Sequence, residues 1–110
     1  MERILIDGYN LLYKDAILRD RASRNLEEAR DQLIAAVAAY RSGDMEIILV
    51  FDGRGGTARR QAGARGVYVR YSSFPQSADQ MILELVERDR RRSQITVVTS
   101  DRKERLREHD

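Results

Sequence analysis

Three short apolar runs, each leading to an aspartate at its carboxyl end, limit what this chain can fold into more than any other feature. They are Arg3-Ile4-Leu5-Ile6-Asp7, Glu46-Ile47-Ile48-Leu49-Val50-Phe51-Asp52 and Gln94-Ile95-Thr96-Val97-Val98-Thr99, the last followed by Ser100-Asp101. Runs of this length and continuity read as strands buried on both faces, the habit of parallel sheets. A fourth stretch, Val67-Tyr68-Val69-Arg70-Tyr71, alternates and is the third strand in chain order.

Helical patterns separate the strands. Tyr9 to about Arg19 carries Leu11, Leu12, Ile17 and Leu18, and predicts a first helix or helical turn with a loop behind it. Asn25 with Glu28 three residues on is a capping-box-like start, and apolar residues at 26, 29, 33, 34, 37 and 40 follow at helical spacing until Gly43 stops the pattern. Ser77 and Gln80 form a second such start. The helix they open runs to about Arg92, with Met81, Ile82, Leu85 and Val86 on one face. Gly53 to Gly66, rich in glycine and arginine, predicts a mobile loop with at most one helical turn. Arg102 to Glu108 predicts a last helix. The alternation implies an α/β fold with an open parallel sheet and right-handed crossovers. At 110 residues the chain is expected to be one domain, 1–110.

In open parallel sheets, ligands bind outside the carboxyl ends of the strands. A strand order 3-2-1-4 puts Asp7 between Asp52 and Asp101, with neighbouring strands about 4.8 Å away. Asp79, in the first turn of the helix feeding the fourth strand, faces the same edge. Two carboxylates about 5 Å apart repel by roughly 3 kcal/mol at an effective dielectric near 20. Either their pKa values rise or a cation neutralises them, and an all-oxygen site selects Mg²⁺ or Mn²⁺. Each aspartate also has an ordinary explanation. Asp7 and Asp52 precede glycine, as turn residues do. Asp79 complements a helix dipole, and Asp101 caps a helix. The functional reading rests on three strands ending alike.

From Gly53 to Arg70 there are five arginines (Arg54, Arg59, Arg60, Arg65 and Arg70) and no acid. Such a block suits phosphate, and arginine also stacks on bases. A bias of the source towards arginine over lysine explains the choice of cation but not the missing acids.

Other classes fit poorly. The chain has no cysteine, which excludes disulfides, zinc–thiolate sites and a cysteine nucleophile, and fits a reducing cytoplasm. The one histidine, His109, is penultimate, a poor place for a catalytic triad. No apolar run reaches the roughly 18–20 residues of a membrane span, and no signal-peptide layout opens the chain. Gly53-x-Gly55-x-x-Ala58 imitates a dinucleotide fingerprint, but follows the wrong strand and lacks the acid about 20 residues on. A haloacid-type phosphatase would need an aspartate where Tyr9 stands, and a phospho-receiver domain an acidic pair near the end of the first strand.

Ile4-Leu5-Ile6-Asp7-Gly8-Tyr9-Asn10-Leu11-Leu12 resembles the opening motif of the NYN domain family, and best its YacP-like branch within the PIN-like nuclease superfamily. The resemblance continues at Val50-Phe51-Asp52-Gly53, at Ser77-Ala78-Asp79 with Ile82, and at Val97-Val98-Thr99-Ser100-Asp101-Arg102. It implies a PIN-like three-layer α/β/α fold, a divalent metal on the acidic residues, and endonucleolytic cleavage of RNA, including messenger RNA on the ribosome. Asp7, Asp79 and Asp101 match the family's acidic positions. Asp52 is matched too, either binding the metal or standing behind its ligands. Asn10 would orient a carboxylate or a metal-bound water. Arg54, Arg59, Arg60, Arg65 and Arg102 would hold the RNA, with Tyr9 stacking a base or serving in the core. Family members continue past the last motif with a helix and a further strand. Here about four strands are expected, short at the C-terminus, with the fourth strand's edge open to a second chain. The rival reading is an RNA-binding module with this fold and little or no cleavage. Against it, four carboxylates repel phosphate unless a metal intervenes.

Overall fold

The computed structural model describes residues 2–53, 59–62, 66–73, 75–89, 94–99 and 102–106; at 59–62, 99 and 102–106 it describes the backbone alone. The elements run β1 (Arg3–Asp7), α1 (Gly8–Lys14), α2 (Ala16–Arg24), α3 (Leu26–Tyr40), β2 (Glu46–Phe51), β3 (Arg59–Ala62), β4 (Val67–Tyr71), α4 (Ala78–Arg88), β5 (Ile95–Thr99) and β6 (Arg102–Leu106). The four expected strands are β1, β2, β4 and β5. They pair in parallel in the expected order, β4-β2-β1-β5.

Strand periodicity divides the core in two. Ile6, Ile47, Leu49, Phe51, Val67, Val69 and Tyr71 point to one face, where Leu12 of α1 and Ala29, Leu33, Ile34 and Val37 of α3 cover them. Leu5, Val50, Ile95 and Val97 point to the other, beneath Ala78, Met81, Ile82 and Val86 of α4. Side chains two apart on a strand share a face, so each strand can contribute to both cores. Helices thus lie on both faces of the sheet.

Two expectations in the polar segments need correction. Arg102–Leu106 is an antiparallel strand on the outer edge of β5, with Thr99 opposite Arg102, and not the start of a helix. Arg59–Ala62 is an antiparallel strand on β4, not loop or helical turn. Neither segment has the β-branched residues that announce a strand. Pairing with an apolar neighbour whose backbone groups need partners overrides local propensity in both places. The sheet therefore has six strands, the outer two antiparallel, and its edge on that side is the charged β6 rather than β5. Lysine and arginine on an edge strand discourage further pairing.

The first helix is split. Asp15 ends α1, and its side chain accepts from the backbone N–H groups of Ile17 and Leu18 to start α2. Asn25 caps α3 as expected, accepting from the Glu28 N–H at 3.1 Å. That helix ends at Tyr40 with Arg41 as its cap, and Gly43, at φ 64°, turns the chain towards β2 rather than stopping the helix itself. Ser77 and Gln80 form a complete capping box on α4. The described helix ends at Arg88, short of Arg92.

Gly8 opens α1 against the fully buried Phe51 ring, and a methyl group there would run into that ring. Gly8→Ala is expected to lower stability by about 1–3 kcal/mol, the usual cost of overpacking a core. Urea unfolding measures it, and an unchanged midpoint would mean that the ring repacks freely.

Candidate active site

A cleft of about 340 Å³ opens at the carboxyl end of the parallel strands, lined by Asp7, Tyr9, Asn10, Tyr13, Asp52, Ser77, Ala78 and Asp79. Three of the four expected aspartates and Asn10 therefore share one site. Asp101 lies outside the described residues.

Each side chain arrives for a local reason. Asp7 is the last residue of β1 and the N-cap of α1. Its carboxylate accepts from the Asn10 N–H at 3.3 Å with Oδ1 and from Asn10 Nδ2 at 3.2 Å with Oδ2. The ordinary role of Asp7 is thus that of a helix cap rather than a turn residue, and Asn10 sits where it orients this carboxylate. Asp7 is buried all the same. Asp52 follows β2 directly. The backbone beyond it is tied down: the Gly53 N–H donates to Ser72 Oγ at 3.2 Å, and the Ser72 N–H donates to the Phe51 carbonyl at 2.9 Å. A side chain at Gly53 would strike the Ser72 carbonyl oxygen, so this close approach requires glycine. Asp79 is exposed in the first turn of α4, whose start is held by the capping box.

The Asp79 carboxyl is held above the ordinary carboxylate range. Partial burial is the main cause, followed by the Asp7 charge and a hydrogen bond shared with the Asp7 carboxyl. Two acidic groups in contact offer oxygen donors of the kind a hard dication takes. Among the described residues, no three acidic, histidine or cysteine side chains form a metal-holding group. Asp7 and Asp79 are the interacting pair, with Asp52 across the same cleft. Oxygen donors of this kind fit Mg²⁺ or Mn²⁺.

The aromatic floor divides the tyrosines. Tyr9 is half-buried, edge-on to Phe51 at 4.8 Å, and its hydroxyl accepts from Arg30 Nη1 at 3.1 Å. Phe51 stacks on Tyr71 at 5.5 Å, and the Arg30 guanidinium lies 5.8 Å from the Tyr71 ring centre. Tyr9 therefore combines a core contact with a place on the cleft wall. Tyr13 is a cleft residue that the sequence motifs do not single out. It lines the cleft one helical turn after Tyr9, and the i,i+4 spacing from that tyrosine is the signal that could have found it. Of the basic residues, Arg54 and Arg65 lie outside the described residues. Arg59 and Arg60 belong to β3 and Arg102 to β6, positions known by backbone register alone.

A model of the YacP-like NYN domain matches residues 4–107. The chain is 35% identical over 105 residues to the uncharacterized protein YacP of Bacillus subtilis, covering 92% of this chain and 61% of that protein. It resembles the crystal structure of Rae1 (YacP) from Bacillus subtilis with a TM-score of 0.76 at 34% identity, over 93% of this chain and 60% of that one. A mutant form of the same protein gives a TM-score of 0.72 at 33% identity, over 92% and 60%. The chain thus spans about 61% of the length of its curated relative.

The Asp79 shift has a thermodynamic sign. The folded state binds this proton more tightly than the unfolded state, so the group favours the fold below its ordinary pKa, near 4, and that contribution is lost as pH rises through the raised folded value. In EDTA, Asp79→Asn is expected to gain melting temperature relative to the parent as pH rises from about 4 to 7. A difference that stays flat over that range would remove the Asp7–Asp79 repulsion from the account.

Proposed function

The chain belongs to the YacP-like NYN domain family, and from that premise we propose that it is a metal-dependent endoribonuclease. Its substrate is single-stranded RNA, messenger RNA on the ribosome included. The observation that carries this reading is the meeting of Asp7, Asp52 and Asp79 in one cleft, with Asp7 close enough to Asp79 to disturb its ionisation. A module that only binds a polyanion gains nothing from carboxylates lining its cleft.

Asp7, Asp79 and Asp101 would hold Mg²⁺ or Mn²⁺, with Asp52 beside them. Such a cation, when bound, lowers the pKa of water and stabilises charge developing on a phosphate. The remaining work falls to the chain. Asn10 keeps both oxygens of Asp7 in place, so the carboxylate does not turn away when charge is introduced. Asp52 or Asn10 would position the attacking water. Tyr9, on the cleft wall, would stack a base of the substrate. Arg54, Arg59, Arg60, Arg65 and Arg102 neutralise the phosphates on either side of the scissile bond.

The test is cleavage of a labelled single-stranded RNA with Mn²⁺ or Mg²⁺, against EDTA and against Asp7→Asn. Metal-dependent cutting is expected, and the variant should lose it while still binding RNA, because asparagine keeps the helix cap and removes the charge. A fully active variant sinks the site assignment. Binding without cutting under either metal identifies an RNA-binding module with this fold instead.

The arginines give a separate prediction. Replacing Arg54, Arg59, Arg60 and Arg65 with glutamine should weaken binding alike at every sequence. It should also reduce the slope of log K against log salt, by about 0.7 for each phosphate of a single strand that is no longer neutralised. Cleavage and salt dependence unchanged from the parent would place the RNA elsewhere.

A further inference from the structure

Strand β4 carries an aromatic and a cation on the face of the sheet where the carboxylates gather. Its odd-numbered residues, Val67, Val69 and Tyr71, are buried in the core beneath α1 and α3. Its even-numbered residues, Tyr68 and Arg70, belong to the opposite face, the α4 side, with Leu5, Val50 and, at the strand ends, Asp7 and Asp52. On that side α4 packs over β1, β2 and β5, and no described residue of β4 enters the core beneath it. Tyr68 is consequently 47% exposed, although it stands on a strand paired on both sides. A large aromatic left open in mid-sheet has lost the packing that usually explains one.

Arg70 lies between Tyr68 and the cleft. Its Nε is buried and has no acceptor among the described residues. Buried N–H groups are ordinarily paired, and no described residue supplies an acceptor for this one; the side chain as a whole is only partly buried, so it adds a cation to this face. Arg60 is the register partner of Arg70 on β3, and Arg59 that of Tyr71. No acidic residue occurs between Gly53 and Arg70. Glu84, on the neighbouring helix, is already engaged by Gln76 Nε2 at 3.3 Å and by Arg88 at 3.6 Å.

We propose that the Tyr68–Arg70 face of β4 is a binding track for the single-stranded RNA as it leaves the carboxylate cleft, with Arg70 taking a phosphate and Tyr68 stacking a base. The proposal rests on the nuclease reading for its substrate and extends that reading to a second contact region. Tyr68 pairs in register with Ile48, four residues before Asp52, which puts it roughly 13 Å along the strands from the aspartate. A stacked strand at about 3.4 Å per nucleotide covers that span in about four nucleotides. Stacking on tyrosine accepts any base, so the track adds affinity without sequence preference.

The experiment measures binding of a fluorescent ten-nucleotide single-stranded RNA to the whole chain in EDTA, where no cleavage intervenes. Tyr68→Ala is expected to weaken binding by about five- to a hundredfold, the range for loss of one stacked base, and Tyr68→Phe to retain it. Against the same oligonucleotide made abasic, parent and Tyr68→Ala should bind equally, a result that a purely structural role of Tyr68 would not produce. Arg70→Gln should lower the salt slope by about 0.7. Tyr68→Ala binding within twofold of the parent on the base-bearing strand overturns the track, and so does an equal loss on the abasic one. If the parent binds RNA and shows these effects but never cuts it, the track stands and the nuclease reading falls. If the parent binds no RNA in EDTA, the track falls; if it also cuts none with Mn²⁺ or Mg²⁺, the nuclease reading falls with it.

Discussion

The central position of β1, hydrogen-bonded to β2 on one side and to β5 on the other, is the constraint from which the site follows. A strand paired along both edges cannot slip by one residue without turning Leu5 and Ile6 into the wrong cores, so its register is held by two apolar layers at once. That register decides where Asp7 emerges. Because β2 runs parallel alongside and ends within a residue or two of the same level, Asp52 emerges beside it. The capping box that starts α4 then sets Asp79 at the same rim. Far from the cleft, Arg3 clamps the opposite end of the sheet through Glu46 of β2 and Asp89 at the end of α4.

The rim is electrostatically unfavourable when considered alone. Asp7 is buried, and Asp79 holds its proton more tightly, chiefly through its own partial burial and then through the Asp7 charge beside it. Folding energy from two apolar cores supports that arrangement. The floor beneath it is rigid, built from Tyr9, Phe51 and Tyr71 in a chain of ring contacts, with Arg30 bracing the outer tyrosines. Such a construction resists collapse when the charges repel, which is what a preorganised site requires.

Much of this was legible in the residues. Continuous apolar runs identify β1, β2 and β5, and the aspartates that end the first two, with Asp79 placed by a capping signal, point to one edge. What was not legible depends on neighbours distant in sequence. Nothing in Arg59–Ala62 or Arg102–Leu106 says strand until β4 and β5 stand beside them with backbone groups to pair. The split between α1 and α2 was within reach, since Asp15 is a strong capping residue ahead of an apolar pair, but it competes with a helical pattern that continues through it. The unlike fates of Tyr68 and Tyr71 were half visible. Alternation says that they face opposite ways, yet only the placement of α4 decides which of the two is left in the open.

Asp7 serves the fold and the site with one carboxylate, and that double duty shapes how this position can change over evolutionary time. Alanine would remove the cap together with the charge, and glutamate would keep the charge on a stem too long to cap. Asparagine, serine and threonine preserve the start of α1 while surrendering the anion. A lineage that abandoned the chemistry would therefore drift towards those three residues rather than towards small apolar ones. Loss of activity would be written at this position as a quiet polar exchange in an otherwise intact domain.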